Sequence, residues 1–279
     1  MSQDKSVEVG ANLAIGVFDG VHRGHHDIVG QMVEQSKREG LPAVCFTFDP
    51  DPDEVLHPER RPQALASVPE RVELLKSIGV SSVDVLAFTA EIANRSAEEF
   101  LKWVRREYDV RGLWGGSDFA LGRGREGTID ALRGIGASLG FEVHRVEPLV
   151  EGGRVVSSTW IRELLREGDV RMAAKLLGRN YGLRAEVVSG AQRGRDLGFP
   201  TANMVLPPGR VLPADGVYFV EVERNGTWLR GVSSLGPRPT FGEEEPLLET
   251  YILDFEGDVY GDLLEVRFVE RIRALARFE

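Results

Sequence analysis

The chain is poor in sulfur and in imidazole, with one cysteine, four methionines and five histidines in 279 residues. A single thiol rules out an internal disulfide framework, and Cys45 lies in the apolar run 43–48, where an inert core residue is expected. No apolar run approaches the length that spans a bilayer, and the opening MSQDKSVEVG lacks the apolar stretch of a secretory signal, so no membrane partner is expected. A formal net charge of −10 argues against a nucleic-acid partner and leaves room only for local basic pockets. With 42% hydrophobic and 28% charged residues the composition is that of a soluble protein, long enough for two cores. A cytoplasmic protein acting on small molecules fits these absences, and they leave its oligomeric state open.

Three of the five histidines fall in one stretch, GVFDGVHRGHHDIV, Gly16 to Val29. The apolar run 13–17 before it reads as a buried strand, and Gly16, Gly20 and Gly24 let the backbone turn and approach a ligand. Ile28, Val29, Met32 and Val33 recur at helical spacing, so a helix starts at or just before His25. A strand, a glycine-lined loop and a helix N-terminus make a phosphate site, because amides and the helix dipole face outward there. His22 and His25 can donate hydrogen bonds to a phosphoryl group in that loop; the alternative is a surface turn with incidental histidines. The loop is not a P-loop, since no Gly-Lys-Ser/Thr follows, and it carries no GxGxxG. Its HxGH pattern resembles the nucleotidylyltransferase signature, whose histidines hold the triphosphate.

Strand and helix patterns then alternate. Runs 43–48, 83–88, 110–114 and 141–146 read as strands; 70–78, a segment from Ser96 with Glu99 completing a capping box, and 128–139 read as helices. Residues 49–62 read as a long polar loop. This alternation predicts a doubly wound parallel sheet with ligands at the strand C-terminal ends, where the loop GGSDFALGRGREG after the fourth strand also falls. A helical stretch follows over 157–179, opened by the capping residues Ser157, Ser158 and Thr159, with Arg162 one turn in. That end suits an anion such as pyrophosphate, or is simply a capped amphipathic helix.

Beyond Tyr181 the helical period disappears. Runs 184–188, 217–223, 227–235, 248–255 and 264–272 alternate with turns, and Asn225-Gly226 marks a hairpin, which predicts a small antiparallel barrel with its boundary within 177–183. In GAQRGRDLGFPTAN, Gly190, Gly194 and Gly198 with Arg193 and Arg195 make a flap suited to phosphates, and Thr201 and Asn203 after Pro200 offer the oxygen ligands that Mg²⁺ prefers. A turn with a satisfied Asn is the competing reading. Glu249, in an otherwise apolar strand pattern, either faces solvent or is placed for proton chemistry.

Taken in order, GVFDGVHRGH, FTFDPDP, GGSDFALGRGREG, SSTWIR, LGFPTAN, DGVYFVEV, LGPRPTF and ETYILDFEGDVYG resemble the bifunctional prokaryotic riboflavin kinase/FAD synthetases. The resemblance implies an adenylyltransferase domain over 1–178 and a riboflavin kinase barrel over 179–279, with ATP, riboflavin and FMN as small-molecule substrates and Mg²⁺ as cofactor. It implies that His22 and His25 stabilise the transferring phosphoryl group. Gly16, Phe18, Asp19 and Gly20, with Ser158, Thr159 and Arg162, would contact ATP phosphates, and Asp118 and Phe119 would lie on the flavin side. In the barrel, Gly190, Gly194, Gly198, Pro200, Thr201 and Asn203 would bind ATP phosphates, Thr201 and Asn203 would hold the metal, and Glu249 would be the general base. The chain departs from the family's usual residues at Asp51, at Ala120 and Leu121 and at Ser234, and it stops at Glu279 before a usual further helix. Those departures keep two alternatives in view: an FAD synthetase with a weakened kinase barrel, and a non-catalytic flavin- or nucleotide-binding protein.

Overall fold

A computed structural model describes residues 10–60, 63–188, 201–237 and 246–275. Gly190, Gly194, Gly198 and Pro200 lie outside the described residues. The chain divides into two compact units, Met1–Pro62 with Ala66–Val156, and Gln63–Leu65 with Ser157–Glu279.

The first unit begins with β1 (Ala11–Ile15), α1 (Arg23–Glu39) and β2 (Ala43–Asp49), followed by α2 (Pro52–Leu56), α3 (Val68–Ile78) and β3 (Ser82–Ala87). Next come α4 (Ala90–Ala93), α5 (Ala97–Tyr108) and β4 (Val110–Gly116), then a ribbon of β5 (Ala120–Leu121) and β6 (Gly127–Thr128). The unit closes with α6 (Ile129–Leu139), β7 (Glu142–Val146) and a second ribbon, β8 (Val150–Glu151) and β9 (Arg154–Val155). The parallel sheet has the order β3-β2-β1-β4-β7, so the chain reverses direction across the sheet between β1 and β4. Every residue of β1 is buried. Leu13 and Ile15 pack with Phe100, Leu101 and Leu132 on one face, and Ala14 packs with Val29, Met32 and Leu75 on the other. Burial on both faces is why this strand reads as an unbroken apolar run.

Several elements depart from the sequence reading. The helix expected from Glu70 starts at Val68, because Ser67 and Glu70 form a reciprocal capping box. The segment read as a long loop contains α2, started by Asp51 accepting from the Asp53 amide; none of its residues is buried, so it leaves no apolar period to read. The helical stretch 157–179 is two helices, α7 (Ser158–Glu167) and α8 (Val170–Leu177). Gly168 takes a left-handed conformation at φ 84° and Asp169 caps α8 by accepting from the Met172 amide.

In the second unit these helices precede a closed barrel of order β10-β11-β14-β13-β12-β15. Its strands are β10 (Tyr181–Val188), β11 (Ala202–Val205), β12 (Gly216–Arg224), β13 (Thr227–Pro237), β14 (Pro246–Ile252) and β15 (Leu263–Arg273). Alternate residues fill the interior: Leu183, Ala185 and Val187; Tyr218, Val220 and Val222; Leu264, Val266 and Phe268. Asn225 and Gly226 both take positive φ, 51° and 81°, as a tight hairpin turn requires. The strand expected over 248–255 runs instead over Pro246–Ile252, and β11 is a further strand that the sequence pattern did not mark.

Candidate functional site

In the first unit the residues in question collect where β1 and β4 deliver adjacent loops at their C-terminal ends. Parallel sheets bind ligands at such a reversal of strand order. After β1 the backbone is contorted, with positive φ at Phe18 (53°), Gly20 (74°) and Val21 (39°). A Cβ on Gly16 would come within 3.2 Å of the Phe18 ring, and one on Gly24 within 3.2 Å of the His22 imidazole, so at either position a side chain would press on its neighbouring ring. Asp19 is buried and its Oδ1 accepts from the Ala66 amide at 3.1 Å.

His22 is the N-cap of α1, its Nδ1 accepting from the His25 amide at 3.4 Å. With that lone pair engaged, a neutral ring carries its proton on Nε2. The His22 and His25 rings stack at 3.7 Å and 17°, and the edge of His25 meets Phe18 at 5.3 Å. No acidic side chain stands in the first turn of α1, so the positive end of the helix is uncompensated locally. Burial, reinforced by His22 and His26, holds the His25 pKa well below its usual value of 6.5. His25 Nδ1 is buried without a hydrogen-bond partner among the described residues.

That depression has a sign. The unfolded chain takes up the His25 proton as pH falls through about 6.5 while the folded chain does not, so this group is neutral towards folding above that value and opposes it below. Thermal midpoints followed from pH 8 to 5 should fall less steeply for His25→Asn than for the unmodified protein. Parallel curves would show that His25 is not the group responsible.

On the loop after β4, Asp118 is exposed and Phe119 half-buried, with the Phe119 ring packed where a Cβ on Gly115 would lie within 2.7 Å. Arg125 Nη2 donates to the Asp118 carbonyl at 2.9 Å. Ser158, Thr159 and Arg162 stand in the first turns of α7, in the second unit, with Ser157 as cap. Arg162 Nε donates to the Gln63 carbonyl at 2.8 Å, and the first turn of α7 holds no acidic side chain.

The barrel brings a second group together. Asn203 pairs across the ladder with Glu249, and Glu249 with Ser234, so the three share one row on β11, β14 and β13. The neighbouring row, Ala202, Thr250 and Ser233, is buried, so alternation turns the Glu249 row outward. Inside, the Ser233 and Thr250 hydroxyls bond at 2.8 Å and fasten together the strands that carry Ser234 and Glu249. Glu249 is exposed, whereas Asn203 is only 6% exposed.

Comparison with known proteins matches each unit. The family model for FAD synthetase matches residues 4–160, and that for riboflavin kinase matches 177–279. The bifunctional riboflavin kinase/FMN adenylyltransferase of Bacillus subtilis is 33% identical over 271 residues, covering 95% of this chain and 85% of the relative. The Pseudomonas fluorescens enzyme of the same description is 37% identical, covering 96% and 86%. The chain belongs to the bifunctional riboflavin kinase/FMN adenylyltransferase family. A crystal structure of a Streptococcus pneumoniae protein described as a macrolide-efflux protein shares the fold, with a TM-score of 0.91 at 33% identity over 99% of this chain and 90% of that one. Among the described residues no helix of this chain is long and apolar enough to cross a membrane.

Within this family's pattern the departures have local consequences. Asp51 caps α2 and accepts from the Asp53 amide at 2.9 Å; burial nonetheless raises its pKa, with the Asp53 amide and Arg71 pulling the other way. Ala120 opens the short strand β5, paired with Thr128. Ser234 keeps a hydroxyl beside Glu249. Two residues that sequence reading passed over lie at the mouth of the histidine loop: buried Arg71 and Thr47, both bonded to the Val17 carbonyl. Their signal was present, since Arg71 lies four before Leu75 and seven before Ile78, on a helix face that should be apolar.

Proposed function

We propose that the first site joins FMN to the adenylyl group of ATP and that the outward barrel row phosphorylates riboflavin, with functional domains over 1–178 and 179–279. The observation that carries this reading is the stacked His22–His25 pair capping α1 at the strand-order reversal. In FAD formation an FMN phosphate oxygen attacks the α-phosphorus of ATP, the bond to the bridging oxygen breaks, and pyrophosphate leaves. The His22 Nε2–H and the first-turn amides of α1 donate to the oxygens on which charge gathers. Gly16, Phe18, Asp19 and Gly20 shape the loop around the triphosphate. Ser158, Thr159 and Arg162 hold the departing pyrophosphate, and Asp118 and Phe119 border the flavin. No covalent intermediate is needed, and positioning with charge stabilisation suffices.

In the barrel, Glu249 takes the proton of the ribityl 5′-hydroxyl as that oxygen attacks the γ-phosphorus of ATP, and ADP leaves. Asn203, across the ladder from Glu249, and Thr201, just before β11, would offer an amide oxygen and a hydroxyl. Such hard donors suit Mg²⁺, which completes its shell with phosphate and water and would neutralise charge on the ATP phosphates. A cytoplasmic location, where ATP and flavins are at hand, completes the proposal.

The test is direct. Purified protein is incubated with ATP and either riboflavin or FMN, with Mg²⁺ or with chelator, and the flavins are resolved by chromatography. Riboflavin should give FMN and then FAD, FMN should give FAD, and chelator should stop both. FAD from FMN without FMN from riboflavin would leave only the synthetase half standing. No conversion of either flavin would favour a binding protein.

A further inference from the structure

Arg71 sits in the first turns of α3 and is 6% exposed, at a position where that helix otherwise buries Leu75. Its Nη1 donates to the Val17 carbonyl at 2.7 Å and to Thr47 Oγ1 at 3.0 Å, and its Nη2 donates to the Phe48 carbonyl at 3.1 Å. Thr47 Oγ1 in turn donates to the same Val17 carbonyl at 2.9 Å. One planar guanidinium thus ties the chain leaving β1 to the end of β2 at the sheet edge where the histidine loop begins. Among the described residues no carboxylate forms an ion pair with it, and its Nε is buried without a partner. The carboxylate of Asp51 interacts with it electrostatically.

We propose that Arg71 is a positioning residue of the adenylyltransferase site: it holds Val17 so that the strained turn after it delivers His22 to the reacting phosphoryl group. This rests on the reading of that site as the FAD-forming one. Three lines of argument support it. An apolar side chain would fill a core position at a lower desolvation cost than a buried guanidinium, so an arginine here is retained for geometry. Beyond Val17, Phe18 and Val21 occupy left-handed backbone that L side chains resist, so the loop needs anchors outside itself to keep its shape. The acceptors are also a carbonyl on the chain leaving β1 and a hydroxyl and a carbonyl on β2, which a rigid fork reaches together and a lysine ammonium does not.

The experiment uses the full chain, because riboflavin phosphorylation then serves as an internal control for folding. Arg71→Met should lower kcat for FAD formation from FMN by about 100-fold, the size of loss that a displacement of roughly 1 Å produces, with KM for ATP nearly unchanged. Arg71→Lys should fall between, at about 10-fold, because it keeps the charge and loses the fork. Thr47→Val, which removes one of the two donors on Val17, should lower kcat in the same direction without touching the charge. Riboflavin phosphorylation should stay at the unmodified rate in all three. An Arg71→Met protein that forms FAD at the normal rate, or whose loss lies in KM with kcat intact, overturns the proposal. If that variant does not fold, Arg71→Lys and Thr47→Val decide by the same kcat criterion. Unmodified protein that makes no FAD from FMN would overturn the site reading itself, a result distinct from either.

Discussion

Replacing Glu249 by Gln should lower riboflavin phosphorylation by about 10³-fold while FAD formation from supplied FMN continues at the unmodified rate. The carboxylate is exposed on the outward row between Asn203 and Ser234, clear of the barrel interior. Gln preserves size and hydrogen bonding and removes only the capacity to take a proton. Because the position is exposed, the barrel's stability should change by no more than about 0.5 kcal/mol, so the loss would not come from unfolding. Initial rates of FMN and FAD formation, measured on the same preparation, check both halves at once. A Glu249→Gln protein that phosphorylates riboflavin normally would make Glu249 an ordinary surface carboxylate and would remove the base from the mechanism.

The mirror-image result is expected at the other site. His22→Ala should lower FAD formation from FMN by about 10³-fold, the range seen when one donor to a developing oxyanion is removed. It should also destabilise α1 by about 1 kcal/mol, because His22 Nδ1 caps that helix. His22→Asn separates the two effects: Asn is a good capping residue, so it should restore stability while FAD formation stays low. Riboflavin phosphorylation should be unaffected in both. Chemical denaturation read beside kcat distinguishes the roles. If Asn restored FAD formation along with stability, His22 would be a cap alone, and the transition-state contact would have to come from His25 or the helix amides.

Much of the framework was legible in contiguous residues. The alternation of apolar runs with helical periods marked a doubly wound sheet, and Asn225-Gly226 marked a hairpin, because period and turn chemistry are properties of neighbouring positions. Where no apolar period existed, as in α2, or where a glycine broke one, as at Gly168 between α7 and α8, cap geometry set the element limits instead. The strand β11 was harder to see, since its short run Ala202–Val205 contains Asn203 and follows a proline.

Sequence by itself therefore determined the order of the motifs, the two fold classes and the membership of a flavin-synthesising family. Tertiary structure alone decided that His22 caps the helix and stacks on His25, and that Arg71 reaches back to Val17. It also decided that Asn203, Glu249 and Ser234 form one outward row. The reason is physical. A helix period or a turn is set by residues a few positions apart, whereas ladder register and a buried donor's choice of carbonyl are settled only when distant segments close into one barrel or one core.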